Sequence, residues 1–408
     1  MKRRGTKKNS AGLYLVVKMG DFFQSASELF DYSQALRRDL HRHPELGFQE
    51  FRTAGVVVRE LTQLGLEVTS GVAKTGVVAI LEGNQPGPTI LLRFDMDALP
   101  VMEDTGAEYA SLTPGVMHAC GHDGHVAVGL TVARMLTQRR EHLHGRVKFM
   151  FQPAEEGMGG AEGMIAAGVL ENPRPDHTLA LHIWNEVPVG RIAIVPGPLM
   201  AGAEMFLVKL TGRGGHGALP HQTVDPVYAA SQVVVALQSI VARNVSPLKA
   251  AVITVAQFHA GEAFNVIPQT AELRGTIRTF EPDVRERVIE RFQQVVAEVA
   301  QALGCTVHIE LVRLTPPVIN DPQLTERIAA RVRQELPQAE LDTRFRTMVS
   351  EDMAYLMEQV PGCYLLVGGA NPEKHLDYPH HHPQFDFDEQ ALIWAAAVMT
   401  SAASEILI

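Results

Sequence analysis

Residue order predicts an α/β protein: a parallel or mixed sheet flanked by helices, interrupted by an inserted α+β unit of ferredoxin-like type. Three observations carry that expectation. Strand-length apolar runs alternate with helical-period stretches as far as about Gly197. The order then becomes strand-helix-strand-strand-helix-strand. Beyond Leu314 the first pattern resumes. The 408 residues suggest two or three domains. The expected divisions are a disordered extension over 1–20, one domain from 21–199 and 315–408, and the insert at 200–314.

The composition is that of an ordinary globular chain, 46% hydrophobic and 20% charged. Lys plus Arg total 36 against 46 Asp plus Glu, a net charge of -10. That balance argues against nucleic acid as a partner, which needs a basic face. The 3 cysteines are too few for a disulfide framework and suit a reducing, cytoplasmic setting. The basic stretch KRRGTKKNS precedes a short apolar run, AGLYLVV, with no small-residue cleavage site. It reads as an extension, with Met19 an alternative start. No stretch is expected to span a membrane.

A helical period covers Ala26 to Arg42 and stops before Pro44; a second covers Glu50 to Leu64 and stops at Gly65. Val77–Leu81 and Thr89–Phe94 read as strands around the turn GNQPGP. The second ends in DMDALP, placing Asp95 and Asp97 at its C-terminal end. MHACGHDGH (Met117–His125) leads into the apolar run VAVGLTVARML, read as a buried helix. VKFMFQP runs into Glu155 and Glu156, and TLALHIW carries His182 near its end. In the insert, Asp225 and Pro226 start one helix, and Glu281 and Asp283 lie in the first turn of another, which Gly304 stops. A helix near Asp321–Gln334, the strand CYLLVGG, the segment HLDYPHHHPQFDFDEQ and a closing helix complete the chain.

Ligands of such sheets bind outside the carboxyl ends of the strands, so these junctions should converge. The donors are Cys120, His122, Glu155, Glu156, His182 and one of His380, His381 and His382. Thiolate, imidazole and carboxylate at this count can hold two divalent ions, which acidify a shared water. One of the paired glutamates should bind metal and the other take a proton. Asp97 and Asp123 could orient ligand imidazoles, or be a strand cap and a turn residue. In the insert, His216 in GGHGALPH or Asn265 in AFNVIP could donate to an oxyanion, and Arg278 in RGTIRTF could clamp a carboxylate. The insert reads as a lid that excludes water.

RFDMDALP, MHACGHDGH, QPAEEGMGGAEGM, ALHIWNEVPVG, GPLMAG, GGHGALPH, AFNVIP, RGTIRTF, SEDMAYL and HHPQFDFDE occur in this order. Together they resemble the aminoacylase/carboxypeptidase metallohydrolases, in the branch of hippurate hydrolase, N-acyl-L-amino acid amidohydrolase and the auxin-conjugate hydrolases. The resemblance runs from about Phe30 onward. It implies a zinc-peptidase-like catalytic domain with a lid and dimerisation insert, and hydrolysis of N-acyl amino acids or short peptides. It implies Cys120, His122, Glu156, His182 and His381 as ligands of two divalent ions: zinc foremost, with manganese, cobalt and nickel as alternatives. Glu155 would be the general base. His216 would be a transition-state histidine reaching a partner subunit's site in a homodimer or larger homo-oligomer, with Asn265 and Arg278 contacting substrate. Phe94 and Val126 depart from the family pattern and are expected to tune the pocket.

Overall fold

The computed structural model describes residues 21–408; the expected extension over 1–20 and the alternative start at Met19 lie outside them. The first expected helix is two, α1 (Phe22–Glu28) and α2 (Phe30–Arg42), meeting at Leu29. Then come α3 (Phe51–Gln63), β1 (Glu67–Val72), β2 (Gly76–Glu82) and β3 (Gln85–Asp95). Strand β1 escaped the sequence reading because EVTSGV is largely exposed and shows no alternation. Next are α4 (His122–Thr137), β4 (His144–Gln152), α5 (Gly160–Ala166), β5 (His177–Pro188), β6 (Arg191–Ala193) and β7 (Gly197–Met200).

The inserted unit holds β8 (Gly202–Thr211), β9 (Gly215–His216), α6 (Pro226–Asn244), β10 (Ala251–Ala260), β11 (Val266–Ile267), β12 (Thr270–Thr279), α7 (Pro282–Ala302) and β13 (Thr306–Thr315). The chain returns through β14 (Val318–Asn320), α8 (Pro322–Glu335), β15 (Glu340–Asp342), α9 (Met353–Met357), β16 (Gly362–Ala370) and α10 (Gln390–Leu407).

The main sheet has the order β1-β2-β4-β3-β5-β16-β6-β15. Its centre, β4-β3-β5-β16, is parallel, and antiparallel pairings flank it. Alternation along the central strands feeds two cores. Ile90, Leu92, Phe94, Phe149, Phe151, Leu179, Leu181 and Ile183 join one core with α4, α8 and α10. Leu91, Met150, Ala180 and Trp184 join another with α5 and α9. Burial on both faces is what made these strands read as near-continuous apolar runs.

Helix α10 is long and apolar enough to cross a membrane by length and composition, which the sequence reading did not anticipate. Here 78% of it is buried inside the protein, against the main core.

The inserted unit forms a separate four-stranded sheet, β10-β12-β8-β13, antiparallel throughout. With the βαββαβ chain order this is the expected ferredoxin-like arrangement. Helices α6 and α7 cover one face around Phe206, Leu237, Leu273 and Phe292. Asp225 caps α6, accepting from the amides of Val227 at 2.8 Å and Tyr228 at 3.3 Å. Replacing Asp225 by Ala should cost about 1 kcal/mol, seen as a lower urea midpoint for the insert's transition with an unchanged slope.

Candidate active site

The floor of the site is built on Arg93, a charge near the C-terminal end of the apolar strand β3 and fully buried. Its guanidinium meets Asp95 at 2.6 Å, Glu351 at 2.9 Å and Asp352 at 2.9 Å, and Nε donates to Gln152 at 2.9 Å. A buried arginine is stable only when its donors are matched in this way.

Above that floor, Gly121 takes a positive φ of 85°, which glycine adopts without a Cβ penalty. The chain thereby turns between Cys120 and His122, and His122 becomes the first residue of α4 rather than lying ahead of it. His122 Nδ1 donates to the Asp97 carbonyl at 2.9 Å and lies 3.2 Å from Asp97 Oδ1. Its Nε2 is left buried without a hydrogen-bond partner. Asp97 Oδ2 accepts from the Glu156 amide at 3.0 Å, so one carboxylate orients two donors.

Glu155 and Glu156 follow β4 in a tight turn. Ala154 has a φ of 54°, and its amide is held by Glu50 at 2.9 Å. Gly160 closes the turn: a Cβ there would come within 1.8 Å of the Pro153 carbonyl. His182 lies inside β5, which continues to Pro188, rather than near its end. Its Nδ1 donates to the Ile183 carbonyl at 2.7 Å, turning Nε2 to within 3.4 Å of Cys120 Sγ. His381 donates its backbone amide to Ala119 at 2.8 Å, and its Nε2 lies 3.1 Å from Glu156 Oε1. That oxygen has no aligned hydrogen-bond partner among the described residues. The other two histidines are used elsewhere. His380 packs on Trp184 with ring centroids 4.6 Å apart, and His382 stacks on Tyr378 at 4.7 Å.

The donor atoms of Cys120, His122 and His182 lie within 4.8 Å of one another. The same holds for Cys120, Glu156 and His381, and for His122, Glu155 and Glu156. Protein alone makes this an uncomfortable cluster. Burial pushes the Cys120 thiol well above its usual range, and the Glu156 and Glu155 charges add to it. Burial does the same to the Glu155 carboxyl, reinforced by Glu351 and Asp352. Burial holds His182 well below the usual imidazole range, and its neighbours His125 and His380 add to that. Lone pairs facing one another without protons or partners fit divalent cations, which reverse each of these penalties. Thiolate, imidazole and carboxylate together suit zinc-like ions.

Asp123 departs from expectation. It touches no donor imidazole. Instead it accepts from Arg37 Nε and His41 Nδ1, each at 2.8 Å, because it faces α2 from the first turn of α4. Burial alone would lower His41, but the Asp123 charge and hydrogen bond outweigh it and raise its pKa to about 9. His216 and Asn265 also lie away from the donors. They sit exposed at the β9–β11 pair, where Gly217 donates to the Asn265 carbonyl at 2.9 Å. Phe94 and Val126 are fully buried in the main core and line no part of the cleft.

Arg278 does reach the site. A cleft of about 940 Å³ runs from Cys120, Glu155 and His182 past Trp184 and Met348 to Arg278 on β12. Arg278 donates to Ser350 Oγ at 2.6 Å and forms no ion pair with a carboxylate among the described residues.

Several contributors escaped the sequence reading. His125 bridges Asp95, at 2.6 Å, and the Ile183 amide, at 2.9 Å. Glu351 and Asp352 stood only inside the motif SEDMAYL. The usable signal was Arg93 itself, since a charge in a strand buried on both faces requires buried acids.

The sequence from 91 to 405 matches the model of peptidase family M20/M25/M40. The chain belongs to this family. It is 39% identical over 374 residues to an N-acetyl-L-cysteine deacetylase of Bacillus subtilis (strain 168), covering 91% of this chain and 87% of that protein. It is 36% identical over 369 residues to thermostable carboxypeptidase 1 of Saccharolobus solfataricus, covering 90% and 93%. Its fold superposes with a TM-score of 0.81 on the Bacillus subtilis YXEP protein, described as a dinuclear metal-binding peptidase of the M20 family. That pair is 33% identical, over 92% of this chain and 98% of the other. This M20 chain is a hydrolase of amide bonds.

The buried pairing beneath the donors is testable. Arg37→Met would leave Asp123 and Asp386 without their guanidinium. It should cost about 3–5 kcal/mol, measured as a fall in the urea midpoint.

Proposed function

We propose that the chain hydrolyses N-acyl-L-amino acids of N-acetyl or N-benzoyl type, releasing the amino acid and a carboxylate. The observation that carries this reading is the pairing, in one cleft, of Glu155 with Arg278. The first is a half-buried carboxyl group beside the donors, packed against Glu351 and Asp352; the second is a guanidinium without a carboxylate partner among the described residues. A free α-carboxylate on the substrate supplies that partner.

Cys120, His122, Glu156, His182 and His381 hold two divalent ions, zinc foremost, with manganese, cobalt or nickel as alternatives. Divalent ions held by these residues would supply polarisation of the scissile carbonyl and acidification of the attacking water. Glu155 accepts the water's proton and delivers it to the departing amine. Asp97 fixes His122 and the Glu156 backbone in register.

His216 donates to the developing oxyanion of a neighbouring subunit, and Asn265 contacts substrate there, in a homodimer joined through the inserted units. Phe264 beside Asn265 is fully exposed and apolar, as a surface awaiting a second copy would be. A carboxypeptidase reading stands second. The C-terminal carboxylate of a short peptide makes the same demand of Arg278, and a relative carries that name.

Amine release from N-acetyl and N-benzoyl amino acids, their carboxamide-capped forms and dipeptides separates these readings. Free acids should turn over in metal-reloaded protein, capped ones far more slowly, and Glu155→Ala should lose about 10²-fold or more with metal content unchanged. Near-normal turnover in Glu155→Ala would sink the base assignment; faster dipeptide cleavage would favour the second reading. Mixing inactive Glu155→Ala and His216→Ala proteins should restore about a quarter of wild-type activity, since half the random dimers carry one intact site. No restoration would place His216 outside the shared site.

A further inference from the structure

One short stretch, from Thr347 to Glu358, meets both the inserted unit and the acids behind Glu155. At the crossing into the insert, the Ala201 amide donates to the carbonyls of Thr347 at 3.2 Å and Val349 at 3.1 Å. Ser350 accepts from Arg278 at 2.6 Å. The Tyr355 hydroxyl donates to the Leu314 carbonyl at 2.7 Å, and Glu358 accepts from Arg313 at 2.6 Å. These contacts tie the stretch to the first crossing and to strands β12 and β13.

Between those ties, Glu351 and Asp352 are buried and grip Arg93. Their carboxylates lie within 4.8 Å of that of Glu155. Asp352 also accepts from the Ala161 amide at 2.9 Å and from Gln152, which fixes the start of α5 just past the Glu155 turn. The Tyr355 amide donates to the Asp352 carbonyl at 2.9 Å, so the exposed tie and the buried acid are one turn apart on a continuous backbone.

We propose that Thr347–Glu358 is a coupling element: the angle of the inserted unit sets the placement of the Glu351–Asp352 pair and, through it, of the Glu155 carboxylate. Ser350, Tyr355 and Glu358 are positioning residues, and they act at a distance from the reacting atoms. The stretch is too short to absorb a swing of the insert internally, and its middle is pinned by matched buried charges. A misplacement of about 1 Å in a catalytic group can cost on the order of 10²-fold in rate, so small movements suffice. The inference rests on the reading of Glu155 as the base.

The test uses full-length, metal-loaded Tyr355→Phe/Glu358→Ala protein, which keeps the ring in the cleft wall and removes both hydrogen-bonded ties. Hydrogen exchange of the peptide spanning Ala154–Ala161 reads the placement of Asp352 directly, without any substrate. Coupling predicts faster exchange there, with kcat down about tenfold and KM within about twofold of wild type. Reversing the pair, Arg313→Glu with Glu358→Arg in the Tyr355 background, should return kcat toward wild type, whereas either reversal alone should not. Faster exchange confined to the inserted unit, with Ala154–Ala161 unchanged, would overturn the proposal, as would a change in KM alone. Should wild-type protein release amine from no substrate, the N-acyl reading fails, and the exchange measurement still decides the coupling.

Discussion

A pocket in which thiol, imidazole and carboxylate lone pairs face one another is the constraint on which the rest of this molecule depends. Such groups repel when charged and lose solvation when buried. Proximity is sustained only if positive charge stands among them or directly behind them. Arg93 and Arg37, both fully buried, provide the standing charge behind. Arg93 collects Asp95, Glu351 and Asp352, while Arg37 collects Asp123, Asp386 and Glu389. The donors themselves are left with unpaired atoms, and divalent ions complete the account. Strands, helices and turns can be read as the means of bringing two cationic anchors and five donors to one place.

Much of this was legible in the sequence. The central strands announced themselves as apolar runs, and the inserted unit as a change of element order. The structure brings Cys120, His122, Glu155, Glu156 and His182 together, as the strand-to-loop pattern suggested, and His381 joins them, a histidine that only the family resemblance singled out from its two neighbours. What escaped has a common cause. Asp123 binds Arg37 and His41 rather than a donor imidazole, and Glu351 and Asp352 approach Glu155 through a guanidinium. The partners lie between 82 and 259 residues apart, and no periodicity encodes their pairing. The break at Leu29 and the edge strand β1 were missed for a different reason: local pattern is weak where packing, rather than propensity, decides.

The position of the inserted unit gives the cleft its second wall. Arg278 and Leu314 come from the insert, while Glu155, Trp184 and Met348 come from the main sheet and its loops. A site assembled from two separately cored bodies gains adjustability at the cost of needing a defined angle between them. His216 and Asn265 lie apart from both walls, exposed on the β9–β11 pair. The chain's chemistry is distributed over pieces that must be assembled in the right relation.

Helix α10 carries a consequence of its own. It follows every other described element in the chain, yet it packs into the core that holds β3, α4 and β5, and the segment just before it delivers His381 to the donors near Cys120. During synthesis, the strands bearing the earliest donors emerge long before the helix that seals them and the histidine that completes them. The nascent sheet therefore stands with an uncovered apolar face until α10 has been made.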